Sequence, residues 1–368
     1  MSENRPFKGR HIISTRDLTP DDYRTIMFKA RRFKYNSEQY EMAFRNKMLI
    51  YMFFQPSTRT MNSSIEAMER YGGRCTGFSD PKNTSSEKGE SLRDTATNFI
   101  GYGRKSTGNV VVVRHPNDGA ARLVEDEAKI QMEKDRENGR SREVIAVING
   151  GDGKNQHPTQ AIGDLFTVWD KMFDRMGFDL LDRGKWPSGF EGIDMMGVGD
   201  MKYGRALKST IDTLSVFGIV RNLYLASHPY VGLSNRTIAD LDERVGNVHV
   251  ISTRGELAKA ANKVDLICGS RIQQLQFPQT DRGREQLKEI YDSGMRLEAG
   301  MLESPREYLI IMHPQPFNSS DGDRTRVIAK DVRDTPFEAW EDQSADLVDV
   351  RAATMHLELY GVEGETIA

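Results

Sequence analysis

The sequence predicts an α/β fold of two domains, each a parallel β-sheet flanked by helices. Three observations point to it. Short, β-rich apolar runs recur along the chain, each followed by a cluster of Gly, Pro, Asn or Asp and then by a helical pattern, which is the sequence form of a βα repeat. The 368 residues exceed one ordinary domain at about 150 residues each. The strand pattern also restarts after a polar interval, Asn149 to Pro158, so the join between two α/β units is expected there.

Strands are expected at Met48 to Phe54, Val110 to Val113, Val144 to Ile148, Ile193 to Val198, Leu223 to Ala226, Val248 to Ser252, Leu266 to Gly269 and Leu309 to Met312. A helix is expected from Thr159 to Lys171, directly after the loop that joins the units. The last helical stretch, Pro336 to Leu359, repeats apolar residues near 3.6 spacing at Phe337, Trp340, Leu347, Val350, Ala353 and Leu357. Periodicity does not say which unit it packs on. Glu125 to Arg142 is almost wholly charged and polar and reads as a solvated helix or inserted loop, as does Gln279 to Glu298. A further insert runs from Leu180 to Glu191.

Composition excludes several classes of function. Lys plus Arg total 51 against 54 Asp plus Glu, a formal charge of -3, with no block of like charge that would suit a nucleic acid or a membrane surface. The longest apolar run, Met48 to Phe54, falls far short of the roughly 20 residues that span a bilayer, and Met1 to Arg10 lacks a secretory apolar core, so a cytoplasmic location is expected. Cys75 and Cys268 lie far apart without a C-x-x-C or Cys/His ligand spacing, and both read as buried thiols. Neither a disulfide framework nor a structural metal site is expected.

In open α/β sheets ligands bind beyond the carboxyl ends of the strands, so the residues that follow each strand carry the chemistry. After the first strand come Gln55-Pro56-Ser57-Thr58-Arg59-Thr60 and a helical pattern. Hydroxyls and a guanidinium at a helix N-terminus make an anion cradle; an ordinary hydroxyl cap beside a surface arginine is the other reading. The next strand ends in Arg114-His115-Pro116, with Gly119-Ala120-Ala121-Arg122 after it. Gly150-Gly151-Asp152-Gly153 leads to His157-Pro158-Thr159-Gln160, where His157 and Gln160 can face one point from a helix start. His313-Pro314-Gln315-Pro316 is stiffened by two prolines and can present backbone carbonyls to a ligand.

Nucleotide motifs fail. Gly197-Val198-Gly199 has Lys202 where the third glycine of a dinucleotide fingerprint belongs, and Gly199 to Gly204 has P-loop spacing but continues as Arg205-Ala206. Arg205 opens a new helix, and Arg271 with Gln273 follows another strand, so the second unit also offers guanidinium groups suited to a carboxylate or a phosphate.

Phe53-Phe54-Gln55-Pro56-Ser57-Thr58-Arg59-Thr60, His157-Pro158-Thr159-Gln160 and Val198-Gly199-Asp200-Met201-Lys202-Tyr203-Gly204-Arg205 together resemble the catalytic chains of the aspartate carbamoyltransferase family. The likeness extends from about His11 to Gly361 and includes Arg271-Ile272-Gln273 and the loop Asn83-Thr84-Ser85-Ser86-Glu87-Lys88-Gly89-Glu90. It implies the aspartate/ornithine carbamoyltransferase-like fold, with residues 1–158 binding carbamoyl phosphate, completed by the C-terminal helix 336–368, and residues 159–335 binding aspartate. It implies that Ser57, Thr58, Arg59, Thr60, Arg114, His157 and Gln160 hold carbamoyl phosphate, with backbone contacts from Gln315 and Pro316. It implies that Arg205, Arg271 and Gln273 hold the aspartate carboxylates, and that Ser85 and Lys88 reach in from the neighbouring chain of a homotrimer. Arg59, Thr60, Arg114, His157 and Lys88 would then be the catalytic set, with no cofactor and no metal. No motif assigns regulatory chains.

The residues agree with that implication on chemical grounds. An acyl phosphate and a dicarboxylic amino acid need several cations in the site, and an amine attacking a carbonyl needs alignment and charge stabilisation rather than a redox centre. The family's usual Arg and Glu after the S-T-R-T run are Met61 and Ile65 here, its Phe is Ser64, the Leu of H-P-L-P is Gln315, and the last two charges of R-x-Q-x-E-R are Leu275 and Gln276. Two rival expectations remain: a carbamoyltransferase for another amino acid such as ornithine, and a catalytically silent homologue. Ornithine is cationic and would not suit Arg205 beside Arg271; a silent homologue would have lost Arg59, Arg114, His157 or Lys88.

Overall fold

The computed structural model describes residues 6–80, 89–140, 142–153, 157–175, 192–216, 218–315, 317 and 322–362. Two compact units divide the chain: Met1–Phe166 with Ala345–Ala368, and Thr167–Ser344.

The first unit opens with α1 (Pro20–Tyr35), whose start is sealed by a capping box between Thr19 and Asp22. Then follow β1 (Lys47–Phe53), α2 (Thr58–Glu69), β2 (Arg74–Phe78), α3 (Leu92–Tyr102), β3 (Gly108–His115), α4 (Ala120–Glu137), β4 (Val144–Asp152) and the start of α5 (Pro158–Arg175), within which the division between the units falls. The strands form a parallel sheet in the order β2-β1-β3-β4. On one face Ile50, Met52, Val111, Val113, Ile145 and Val147 pack with Ala96, Ile100, Ala121, Val124 and Ala128. The alternate residues Leu49, Val110, Val112, Ala146 and Ile148 are buried as well, so both faces are covered. That double burial is why these strands read as continuous apolar runs.

The second unit contains β5 (Ile193–Gly199), α6 (Arg205–Val216), β6 (Val220–Ala226), α7 (Asn235–Val245), β7 (Val248–Ile251), α8 (Arg254–Ala261), β8 (Leu266–Ser270), α9 (Asp281–Asp292) and β9 (Ile310–Met312). Its sheet is parallel, in the order β7-β6-β5-β8-β9. Its core joins Met196, Val198, Ile267 and Ile311 to Leu257 and Ala261 of α8.

All eight expected strands form, and the structure corrects several details around them. An additional strand, β2, lies at the sheet edge; Arg74-Cys75-Thr76-Gly77-Phe78 has no apolar run because an edge strand is only partly buried. Cys75 there is half-buried, whereas Cys268 is buried as expected. Residues 149–152, expected as loop, prolong β4, whose Asp152 pairs with His115 beyond a register shift. The terminal helix α10 (Trp340–Tyr360) begins later than expected, since Glu338 makes an isolated bridge to Ile311 that holds the chain extended.

The largest correction concerns 125–142, which is no insert and, though helical, is solvated on one face only. It lies mostly in α4, the crossover from β3 to β4, and Glu125, Glu127, Gln131, Asp135 and Arg142 are buried. Each of its buried carboxylates has a partner. Glu125 takes Arg122 at 2.9 Å and Lys129 at 2.7 Å; Glu127 accepts from Thr97 and Gln131; Asp135 accepts from Arg140 and Arg142. Pairing is what makes such burial tolerable, and it is invisible in a residue-by-residue reading. By contrast, α9 in the 279–298 stretch is mostly exposed, as expected. The insert 180–191 lies outside the described residues.

Candidate active site

Each sheet has one point where its strand order reverses direction, and loops diverge there to leave a crevice at the carboxyl ends of the strands. In the first sheet that point lies between β1 and β3. Register aligns Phe53 of β1 with Arg114 of β3, and Phe54 N donates to Arg114 O at 2.8 Å. The loop bearing Ser57 to Thr60 and the strand end bearing Arg114 therefore meet at the crevice.

Ser57 stands at the N-cap of α2 without capping it; its hydroxyl donates to Thr60 Oγ1 at 2.9 Å instead. Among the described bonds the first within α2 runs from Met61 N to Ser57 O, so the preceding N–H groups of the first turn point outward, as the helix dipole would offer them to an anion. Thr58 is exposed, Arg59 half-buried and Thr60 buried. Thr60 Oγ1 also lies 3.1 Å from His157 Nε2, and His157 is itself buried. The residue before α5 thus meets the first turn of α2, 97 positions away.

Arg114 sits at the register shift between Val113 and His115, the kind of irregularity that re-aims a side chain at a strand end. Its Nη1 donates to Gly150 O at 2.8 Å. Gly151 explains how β4 comes so near: its φ is +109°, and a Cβ there would lie 2.7 Å from Arg114 Nη1 and 3.7 Å from His157 Cδ2. Gln160, on the first turn of α5, donates its amide to Asp164 Oδ1 at 2.8 Å. Ser57, Thr60 and His157 are joined directly, and Arg114 stands beside His157 across Gly151.

In the second sheet the reversal lies between β5 and β8, where Gly199 aligns with Ser270. Here too a glycine permits close approach, with φ +104° and a would-be Cβ 2.2 Å from Ser270 O. Arg205 is the first residue of α6, after β5; Arg271 and Gln273 follow β8 and are half-buried. Asp200, fully buried, links the two loops: it accepts from Tyr203 N at 2.8 Å and from Gln273 N at 3.0 Å. Burial raises its carboxyl above the usual range, while the N–H groups of Tyr203, Gln273 and Lys202 act in the opposite sense. Leu275, at the departure from the family pattern, is 91% exposed on a short 3-10 turn.

Gln315 belongs to the second unit and has φ +46°, an uncommon conformation for a residue with a side chain; its N–H donates to His313 Nδ1 at 2.9 Å. His313 stacks on Phe317 with ring centres 4.2 Å apart. Ser85, Lys88 and Pro316 lie outside the described residues. Sequence reasoning missed Gly151 and Asp200 as organising residues. Both stood inside the quoted motifs, but their work is to hold a backbone, for which no residue pattern codes. Among the described residues no group of three or more His, Cys, Asp or Glu is gathered as a metal would need, and no helix is long and apolar enough to cross a membrane.

Two parallel sheets, each with arginines in the segments that follow the strands at its own reversal point, define a two-unit α/β protein. Residues 10–170 match the family model of the aspartate/ornithine carbamoyltransferase carbamoyl-P binding domain, and residues 191–357 match that of the Asp/Orn binding domain. The chain belongs to the aspartate/ornithine carbamoyltransferase family. It is 33% identical over 360 residues to the aspartate carbamoyltransferase catalytic subunit of Thermococcus onnurineus, covering 97% of this chain and 99% of that one. The corresponding subunit of Chromobacterium violaceum is 31% identical over 350 residues, covering 95% and 98% of the two chains. Among solved structures, the catalytic subunit of M. jannaschii aspartate transcarbamoylase aligns with a TM-score of 0.72 at 29% identity, over 96% of this chain and 98% of that one. Aspartate transcarbamoylase from Trypanosoma cruzi in complex with carbamoyl phosphate shares the fold, with a TM-score of 0.76 at 22% identity over 96% and 97%.

Proposed function

We propose that the protein transfers the carbamoyl group of carbamoyl phosphate to the amino group of L-aspartate, giving N-carbamoyl-L-aspartate and phosphate, an early step of de novo pyrimidine biosynthesis. The observation that carries this reading is the pairing of Thr60 Oγ1 with His157 Nε2 at 3.1 Å, next to the outward-facing first turn of α2 and Arg114. It provides phosphate donors and a group for a carbonyl oxygen at one place.

Ser57, Thr58, Arg59, Thr60 and Arg114 hold the phosphoryl oxygens, and His157 with Gln160 faces the carbamoyl group, to which Gln315 and Pro316 offer backbone carbonyls. Arg205, Arg271 and Gln273 hold the two aspartate carboxylates. The amine attacks the carbonyl carbon, the bond from that carbon to the phosphate oxygen breaks, and a proton of the amine passes to the departing phosphate. Arg59 and Arg114 stabilise the charge that grows on the leaving group. His157 polarises the carbonyl. The first unit takes carbamoyl phosphate and the second takes aspartate. Ser85 and Lys88 complete the site of a neighbouring chain in a homotrimer located in the cytoplasm.

A colorimetric assay for ureido product, with carbamoyl phosphate and each of aspartate, ornithine and putrescine, tests the reading. Product with aspartate alone is expected. Turnover of ornithine in its place, or of none of the three amines, overturns it.

A further inference from the structure

Arg351, on α10, is 1% exposed and is among the largest fully buried side chains of the first unit. Its Nη1 donates to Ser63 Oγ, while its buried Nη2 has no hydrogen-bond partner among the described residues. Among the described residues no carboxylate pairs with it, and Met61 and Ile65, two positions either side of Ser63, are apolar. Burial lowers its pKa to about 9, which leaves the guanidinium charged at neutral pH. Among the described residues this buried cation is uncompensated, a costly arrangement when judged on stability alone.

The contact leads to the phosphate loop. Ser63 Oγ, which accepts from Arg351, donates in turn to the carbonyl of Arg59, with Thr60 O at 3.4 Å. The Arg59 carbonyl and the Thr60 N–H belong to one peptide unit. That N–H lies in the first turn of α2, ahead of the bond from Met61 N to Ser57 O, and points out of the helix end. A cation donating through a hydroxyl to the carbonyl end of a peptide polarises it and makes its N–H a stronger donor.

We propose that Arg351 is a positioning residue for the phosphate half of the reaction, acting through Ser63 on the first turn of α2, and that its charge is compensated by the anion bound there. The inference rests on the reading of that turn as the carbamoyl phosphate site. It gives this buried cation a function that fold stability does not.

The test uses the whole protein and four variants: Arg351→Met, Arg351→Lys, Ser63→Ala and, as a control on the site itself, Arg59→Ala. Affinity for inorganic phosphate is measured by calorimetry, KM for each substrate by steady-state kinetics, and Tm with and without carbamoyl phosphate. Arg351→Met should raise the Kd for phosphate and the KM for carbamoyl phosphate about tenfold, the size expected of a charge acting through one intervening hydroxyl. The KM for aspartate should stay within twofold, as judged against that tenfold change. Its Tm without ligand should equal or exceed that of the wild type, because a buried charge has been removed, while the rise in Tm on adding carbamoyl phosphate should shrink. Arg351→Lys should keep most of the affinity.

A folded Arg351→Met protein with unchanged phosphate affinity overturns the inference, as does equal damage to both KM values. If Arg351→Met fails to fold, Ser63→Ala decides: weakened phosphate binding supports the relay, and unchanged binding overturns it. Phosphate binding undiminished in Arg59→Ala overturns both the site and the inference. Binding lost in Arg59→Ala but intact in Arg351→Met removes the inference alone.

Discussion

The carboxylate of Asp200 accepts the backbone N–H of Gln273 at 3.0 Å, and so ties the loop after β5 to the loop after β8 across 73 positions of sequence. Its other oxygen holds Tyr203 N at 2.8 Å. One buried side chain thereby sets the distance between the loop that leads to Arg205 and the loop that carries Arg271. Asp200→Asn leaves a single acceptor oxygen for those N–H groups. The loss of one such bond to a buried carboxylate costs about 1–3 kcal/mol. The KM for aspartate should rise at least several-fold with carbamoyl phosphate affinity unchanged, and separate titrations of the two substrates check this.

Thr60 is the hinge of the other half. Thr60→Val keeps the volume but removes the oxygen shared by Ser57 and His157. The expected result is a fall in kcat of roughly ten- to a hundredfold, the scale for losing one preorganised polar contact at a reacting group, with a Tm close to wild type. A variant with unaltered kcat would remove the Thr60–His157 pair from the mechanism.

Gly151→Ala should act through Arg114. The new Cβ would lie 2.7 Å from Arg114 Nη1 at a backbone φ of +109°, so both the backbone and the guanidinium must shift. A loss of stability of about 1–3 kcal/mol is expected from the strained φ, seen as a lower urea midpoint. The KM for carbamoyl phosphate should rise together with it, while a replacement at the open Gly139, where an added Cβ meets nothing among the described residues within 4 Å, should leave that KM alone.

Stability should depend on pH through Glu358. It is fully buried, both carboxylate oxygens lack a hydrogen-bond partner among the described residues, and burial raises its pKa well above the ordinary value. A raised folded-state pKa means that the neutral carboxyl favours the fold below the unfolded pKa, and that this contribution is lost as pH rises toward the folded pKa. Glu358→Gln should therefore gain on wild type by up to about 1.4 kcal/mol per pH unit above roughly pH 4.5. His356, whose pKa burial lowers to about 3, works in the opposite direction, losing stability as pH falls below 6.5. Comparing Glu358→Gln with wild type by urea unfolding at several pH values cancels that second effect. A difference independent of pH would show Glu358 ionised in the fold.

Assembly can be tested by complementation. Arg59→Ala impairs the body of the proposed site and Lys88→Ala the loop from a neighbouring chain, so each protein alone should be nearly inactive. Unfolded together and refolded as an equal mixture, roughly three quarters of trimers are mixed, each with one intact site in three, and activity should recover to about a quarter of wild type. Recovery no greater than the mean of the two variants, with mixed trimers confirmed by mass, would mean that Lys88 does not serve a neighbour.

Local pattern alone determined the parallel α/β architecture, because strands buried on both faces must be apolar throughout, and β1, β3, β4, β5 and β8 announce themselves in that way. It also marked Ser57 to Thr60, Arg114, His157, Arg205 and Arg271, since phosphate and carboxylate binding demand hydroxyls and guanidinium groups at strand ends. Tertiary structure decided what those residues touch. Nothing near Thr60 in sequence reveals that His157 lies 3.1 Å from it, or that Arg351 stands behind Ser63, 288 positions away. The same holds for α4, whose charges looked solvated until Arg122, Lys129, Arg140 and Arg142 were seen beside its buried carboxylates. The physical reason is common to all three: burial and pairing are properties of neighbours in space, and a single residue's chemistry states only what it would require if it were buried.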